Sequence, residues 1–198
     1  MAHFSSAWWS LLRKFVSRLK HDTDASQLAE LAISLPLLVV FVVGIFDFSA
    51  AYNLRQKLET AAAESAIAGA AQPPVDLDQP TPPGPTSVRL VADVALNYLI
   101  YEGVLPNATQ GGCILTNPGQ AGLVWTYVLT GCPDTLTITV DRGHIMSPGG
   151  TQPRVVGTQV TLSYPHQWQF NKVIGLITAQ VGALPATISA SANAENLF

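Results

Sequence analysis

Apolar and polar positions divide the chain into three zones of different period. Residues 1–21 mix aromatic, aliphatic and basic side chains, with Trp8, Trp9, Leu11, Leu12, Phe15, Val16 and Leu19 at helical spacing and Arg13, Lys14, Arg18 and Lys20 between them. That alternation predicts a short amphipathic helix lying on a membrane surface, or else a basic tail beside it. After the polar stretch His21–Gln27 comes a run, Leu31–Phe46, of 16 residues without a charge. Pro36 and Gly44 are its only breakers, and membrane helices tolerate both. A span needs about 20 residues. Leu28, Ala29 and Phe48–Tyr52 supply the remainder if Glu30 and Asp47 sit near the two membrane faces.

Beyond the run the period remains helical but the residues become small. Ala51, Leu54, Leu58, Ala61, Ser65 and Ala68 form a seam, and Arg55 and Glu59 face each other at i, i+4. One helix from about Gln27 to Ala71 would be about 68 Å long at 1.5 Å per residue. Such a seam packs against the chain's own sheet or against neighbouring helices. Gly69 and Pro73-Pro74 stop the helix, and residues 72–86, with six prolines, read as an extended linker. Ser87 is expected to cap a second helix with Val88, Val91, Val94, Ala95 and Tyr98 on one face, ending near Gly103.

The period then falls to two. Leu123–Leu129, Leu136/Ile138/Val140 alternating with Thr135/Thr137/Thr139, Val156–Tyr164, and Ala186–Ala192 predict about four antiparallel strands. Phe170–Val181 reads as a short helix. The expected fold is therefore α+β: a long N-terminal membrane-spanning helix, then a small extracytoplasmic domain with one helix and an antiparallel sheet. Its parts are a basic leader (1–25), the long helix (26–71), the linker (72–86) and the domain (87–198). A domain this small needs its disulfide or its helix to stay folded.

Composition sharpens the membrane reading. Hydrophobic residues make up 48% and charged residues 12%, the latter about half the share of an ordinary soluble domain. Four Lys/Arg precede the apolar run and only Arg55 and Lys57 closely follow it, which places the N-terminus in the cytoplasm. A cleaved secretory signal fits less well, because a helical pattern rather than a small-residue cleavage site follows the core. A net charge of −3 argues against nucleic-acid binding.

Candidate chemistry is sparse. Cys113 and Cys132 are either two unrelated buried thiols or one disulfide closing a loop of about 20 residues, which an external location permits and which would add about 3 kcal/mol. The second is favoured, since this pair is the only one available and Gly111, Gly112, Gly131 and Pro133 flank it. His3, His21, His144 and His166 have no metal-ligand spacing. Asp141-Arg142-Gly143-His144 reads as a turn between strands rather than an acid–base pair. Gly111-Gly112 also reads as a turn. Trp125, Tyr127, Tyr164 and Trp168 read as core or rim. No phosphate loop, dinucleotide fingerprint or serine-nucleophile motif occurs. No cofactor, metal or catalytic role is expected.

The segment Ser26–Tyr52, SQLAELAISLPLLVVFVVGIFDFSAAY, resembles the N-terminus of TadE/TadG-like proteins, minor pseudopilins of the tight-adherence (Tad, Flp type IVb) pilus machinery. The resemblance rests on the Glu ahead of the apolar run, Leu35-Pro36, Gly44-Ile-Phe-Asp-Phe48, Tyr52 and the alanine-rich helix that follows. Val160–Pro165 also looks like a strand of that family. The family is cut by a prepilin peptidase on the cytoplasmic side of the apolar segment. By spacing, the resemblance implies cleavage between Ala25 and Ser26, with Glu30 as fifth residue of the mature chain; the family usually has Gly where Ala25 stands, and pilins often carry an aromatic where Leu31 stands.

In pilin-like assemblies that Glu pairs with the free N-terminal amine of a neighbouring subunit; alternatively Glu30 sits at headgroup level and solvates the helix end. Asp47 is an interhelical or, as favoured, an interfacial carboxylate. The resemblance implies other pilins or pseudopilins, the Tad membrane platform and the peptidase as partners, besides membrane lipid. It implies a bacterial inner-membrane location with the C-terminal domain periplasmic or extracellular. The competing reading is a membrane-anchored binding module unrelated to pili. A secreted enzyme with a retained anchor is a further alternative.

Overall fold

A computed structural model of the chain describes residues 23–78, 84–106, 113–146, 155–169 and 187–197. The amphipathic stretch at 1–21, the short helix at Phe170–Val181 and the Gly111-Gly112 turn lie outside these residues. Helix α1 runs Thr23–Ala70, 48 residues, or about 72 Å. Pro36 is accommodated inside it, and in the preceding turn the Ser34 hydroxyl donates to the Leu31 carbonyl. Pro73, itself extended and without an N–H to donate, cannot continue the helix, which ends at Ala70. A single 3₁₀ turn follows at Pro74–Asp76.

Helix α2 spans Thr86–Tyr101. Its start differs from the expected one. Pro85 is the N-cap, without a side-chain cap, and Ser87 is the second helical residue. The capping oxygen comes from Asp76: its carboxylate accepts from the Ser87 N–H at 2.8 Å and from the Ser87 hydroxyl at 2.7 Å. A carboxylate there satisfies an orphan donor and complements the positive helix end. At the other end Gly103, at φ +69°, allows a Schellman closure, with Gly103 N–H bonded to the Ile100 carbonyl and Val104 N–H to that of Leu99.

The sheet has five antiparallel strands in the order β1-β2-β3-β4-β5: Gly119–Ala121, Val124–Cys132, Asp134–Met146, Val155–Pro165 and Thr187–Glu195. Four strands were expected. The fifth, β1, has three exposed residues and so carries no alternation for the eye to catch. The threonine-alternating segment behaves as its period requires: Leu136, Ile138 and Val140 are buried, and Ile138 stands opposite both Tyr127 and Leu162. Asp141–Gly143 is not a turn. Strand β3 continues through it to Met146, with a bulge between Asp141 and His144 against β4.

One hydrophobic cluster unites this sheet with both helices. It contains Leu58, Ala61, Ala62 and Ala66 of α1, Val88, Val91, Ala92, Ala95 and Leu99 of α2, and Trp125, Tyr127, Leu136, Val160 and Leu162 of the sheet. Fully burying each large side chain contributes about 1.5–3 kcal/mol. The seam of small residues thus serves the chain's own core from Leu58 onward, because alanine lets the helix backbone approach. Cys113 and Cys132 are joined as a disulfide with Cα atoms 5.1 Å apart. Both are buried, and the bond ties the segment before β1 to the end of β2.

Candidate functional site

By Cα packing the chain forms two units, one holding Met1–Asp47 and Gln169–Val181, the other Phe48–Trp168 and Gly182–Phe198. In the first, the described part of α1 is apolar and open. Leu31, Ile33, Leu37, Leu38, Phe41, Ile45 and Phe46 are all more than half exposed. The helix is long and apolar enough to cross a membrane, with a mean hydropathy of 2.5 over its most apolar window, only 6% of which is buried. This surface is the molecule's largest chemical signal, since exposing a contiguous apolar face to water is unfavourable and marks a partner or a membrane. Glu30 is exposed near the beginning of this surface. Asp47, at its end, is buried, with 7% of its surface exposed. Ala25 and Ser26 lie within the first turn of the helix.

In the second unit, α1 ends on a polar clamp that period-counting did not find. Arg142 points inward from the β3 bulge and is 3% exposed. Its guanidinium donates to the Gly69 carbonyl, to the Gln72 carbonyl at 2.7 Å and to the Thr158 hydroxyl at 3.0 Å. The Thr158 hydroxyl in turn donates to the Asn196 side chain at 2.7 Å. Leu197 N–H adds a bond to the Ala70 carbonyl. Helix ends leave carbonyls without intrahelical donors, and a cation there also answers the negative end of the helix dipole. Burial pulls the Arg142 pKa down, and the negative charge of Asp76 opposes that shift. The guanidinium remains charged, as arginine does in proteins. Gly69 permits the close approach: a Cβ there would meet Thr158 Cγ2 and Val91 Cγ2 at 2.9 Å.

Asp141 Oδ2 stands 3.9 Å from His144 Nδ1, too far for a hydrogen bond, and both side chains are about 30% exposed. Among the described residues no group of three His, Cys, Asp or Glu side chains could hold a metal ion. Tyr127 is fully buried, with its hydroxyl unpartnered among the described residues, and burial pushes its pKa up to about 12. Tyr164, raised chiefly by burial, donates to the Cys132 carbonyl at 2.6 Å. Both phenols are structural. The Arg55–Glu59 pair forms at 2.8 Å and lies open to solvent, where such pairs contribute little.

What distinguishes the molecule is therefore α1, and residues 25–66 match the family model of TadE-like proteins. This helix is TadE-like. The TadE-like segment takes in the open apolar stretch, both of its carboxylates and the part of the seam that enters the core, while the sheet lies wholly outside it. No curated protein and no solved structure matches the chain.

Proposed function

We propose that this protein is a minor pseudopilin-like structural component of Tad pilus assembly, anchored by α1 in the inner membrane and acting by packing against other subunits. The observation that carries this reading is the coincidence of the TadE-like match with the open apolar half of α1. In this reading residues 1–25 are a basic cytoplasmic leader, the prepilin peptidase cuts between Ala25 and Ser26, and the domain from 87 onward lies outside the cytoplasm. The cut frees an amine at Ser26. Glu30, at the membrane edge, pairs with that amine on a neighbouring subunit, since an unpaired carboxylate is costly there. Asp47 is the second carboxylate of the same helix, and acts between helices or, as favoured, at the membrane interface. The domain then contacts other pilins, pseudopilins or the Tad membrane platform, in pilus biogenesis and adhesion, with no catalytic step.

Deleting the gene tests this reading directly. Loss of surface pili and adhesion is expected, restored by the wild-type chain and not by the Glu30→Ala chain. Normal pili and adhesion in the deletion strain would argue for an anchored binding module instead. That module would tolerate Glu30→Ala, and its external part would bind a ligand.

A further inference from the structure

Just past the open apolar half, α1 carries Phe48, Ala51, Tyr52 and Arg55 at i, i+3, i+4 and i+7, one face of the helix. With Trp168 and Ile188 they line an apolar groove of about 500 Å³, bordered by the exposed Thr187 and Ser189 of β5. Phe48 is 54% and Tyr52 63% exposed. The Trp168 ring lies 5.3 Å from that of Phe48, and the His166 ring stands edge-on to it at 4.7 Å.

We infer that this groove is a phospholipid seat, occupied at the membrane–water interface by the glycerol and upper acyl region of a bilayer lipid. The inference rests on the anchored-helix reading above. Three observations carry it. A hydrocarbon layer of about 30 Å takes about 20 helical residues, and counting from Glu30 at the membrane edge brings its boundary to Ser49, in the first turn of the groove. From Phe48 to Arg55 the helix rises about 10 Å, comparable to the depth of the headgroup layer. The chemistry is ordered along that rise: Phe48 comes first, Tyr52 and Trp168 have the amphipathic rings that collect at membrane interfaces, and Arg55 comes last, at phosphate height, its guanidinium shared with the solvent-open Glu59 at 2.8 Å. The long Arg55 side chain suits that position because it can lay its stem on apolar surface and keep its head in water. A protein partner would account for an apolar groove, but not for this ordering at this distance from the span.

The test uses the full chain in phosphatidylcholine–phosphatidylglycerol vesicles whose acyl chains are brominated either near the glycerol or near the bilayer centre. Trp8→Phe and Trp9→Phe remove the leader tryptophans, and Trp125, fully buried, stays dark to the quencher. Shallow bromines are expected to quench Trp168 at least two-fold and deep bromines much less, with the quenchable signal absent from the Trp168→Phe chain. A Leu38→Trp chain in the same background reports on the span. If Leu38→Trp is quenched by deep bromines and Trp168 by neither lipid, the seat is overturned while the anchor stands. If neither tryptophan responds, both fail. Unquenched Trp168 together with cross-linking between copies through Tyr52→Cys would assign the groove to a second copy of the chain and likewise overturn the lipid seat.

Discussion

The two halves of α1 are built from one uninterrupted helix and behave as different materials. Between Leu28 and Phe46 most side chains are large, branched or aromatic, and almost all are open. Between Leu58 and Ala70 nearly half are alanine, and Leu58, Ala61, Ala62, Ala66 and Ala70 are at most 4% exposed. Bulk appears where the helix must be greasy in every direction. Smallness appears where a backbone must come close to a sheet. The comparison teaches that hydrophobicity alone does not say which part of a helix belongs to the protein's core: the more hydrophobic half is the one its own fold leaves uncovered. The TadE-like match, residues 25–66, runs through both halves and ends four residues before the helix does.

That contrast can be broken by substitution, and the largest effect is expected at Leu58. Leu58→Ala should destabilise the domain by about 2–5 kcal/mol, as deletion of buried methyl groups does. Leu38→Ala should leave the same denaturation midpoint nearly unchanged. Denaturant melts of the full chain in detergent, followed by near-UV circular dichroism, check both; equal losses would erase the distinction between the halves.

The clamp at the end of α1 comes next. Arg142→Met keeps the stem but removes the donors, leaving the Gly69 and Gln72 carbonyls to find others, at a cost of about 1–3 kcal/mol for each buried group left unsatisfied. Hydrogen exchange should show the last turn of α1 opening earlier than the strands. Unchanged exchange at Ile67–Ala71 would show that the guanidinium does not hold the helix end.

A smaller loss is expected from Gly69→Ala. The added methyl meets Val91 and Thr158, and overpacking of this kind costs about 1–3 kcal/mol, against which the better helix propensity of alanine returns up to about 1 kcal/mol. Val91→Ala in the same chain should recover part of the loss. If Gly69→Ala alone stabilises the chain, the helix and sheet approach less closely than described.

The smallest effect is confined to alkaline solution. The folded Tyr127 pKa, about 12, exceeds the unfolded value of about 10. The unfolded chain therefore loses that proton first. Stability from this group is intact below about pH 10 and declines as pH rises towards about 12. Tyr127→Phe should flatten that part of the pH profile and leave neutral pH behaviour close to wild type; an unchanged slope would assign it to other groups.

Much of this architecture was legible because its signals are local. The uncharged run, the period-two threonines of β3 and the proline stop after α1 each lie within one element. What escaped depends on partners distant in sequence. Ser87 looks like a helix cap, yet the capping carboxylate is Asp76, eleven residues upstream and beyond a proline-rich stretch. Arg142 sits between Asp141 and Gly143 and so imitates a turn, while the carbonyl it serves belongs to Gly69, 73 residues earlier. Its buried charge is intelligible only once the helix end stands over the β3 bulge. Glu30 and Asp47 were visible as charges bracketing an apolar run, but a sequence does not say what stands opposite a carboxylate.

The assembly reading requires that α1 reach its partners as a processed helix with a free amine ahead of Glu30. The most direct measurement is the intact mass of the chain extracted from its native membrane. The account predicts a species beginning at Ser26. A chain that still carries residues 1–25 would leave Glu30 without that amine, contradict the pseudopilin role and turn the interpretation towards an anchored binding module.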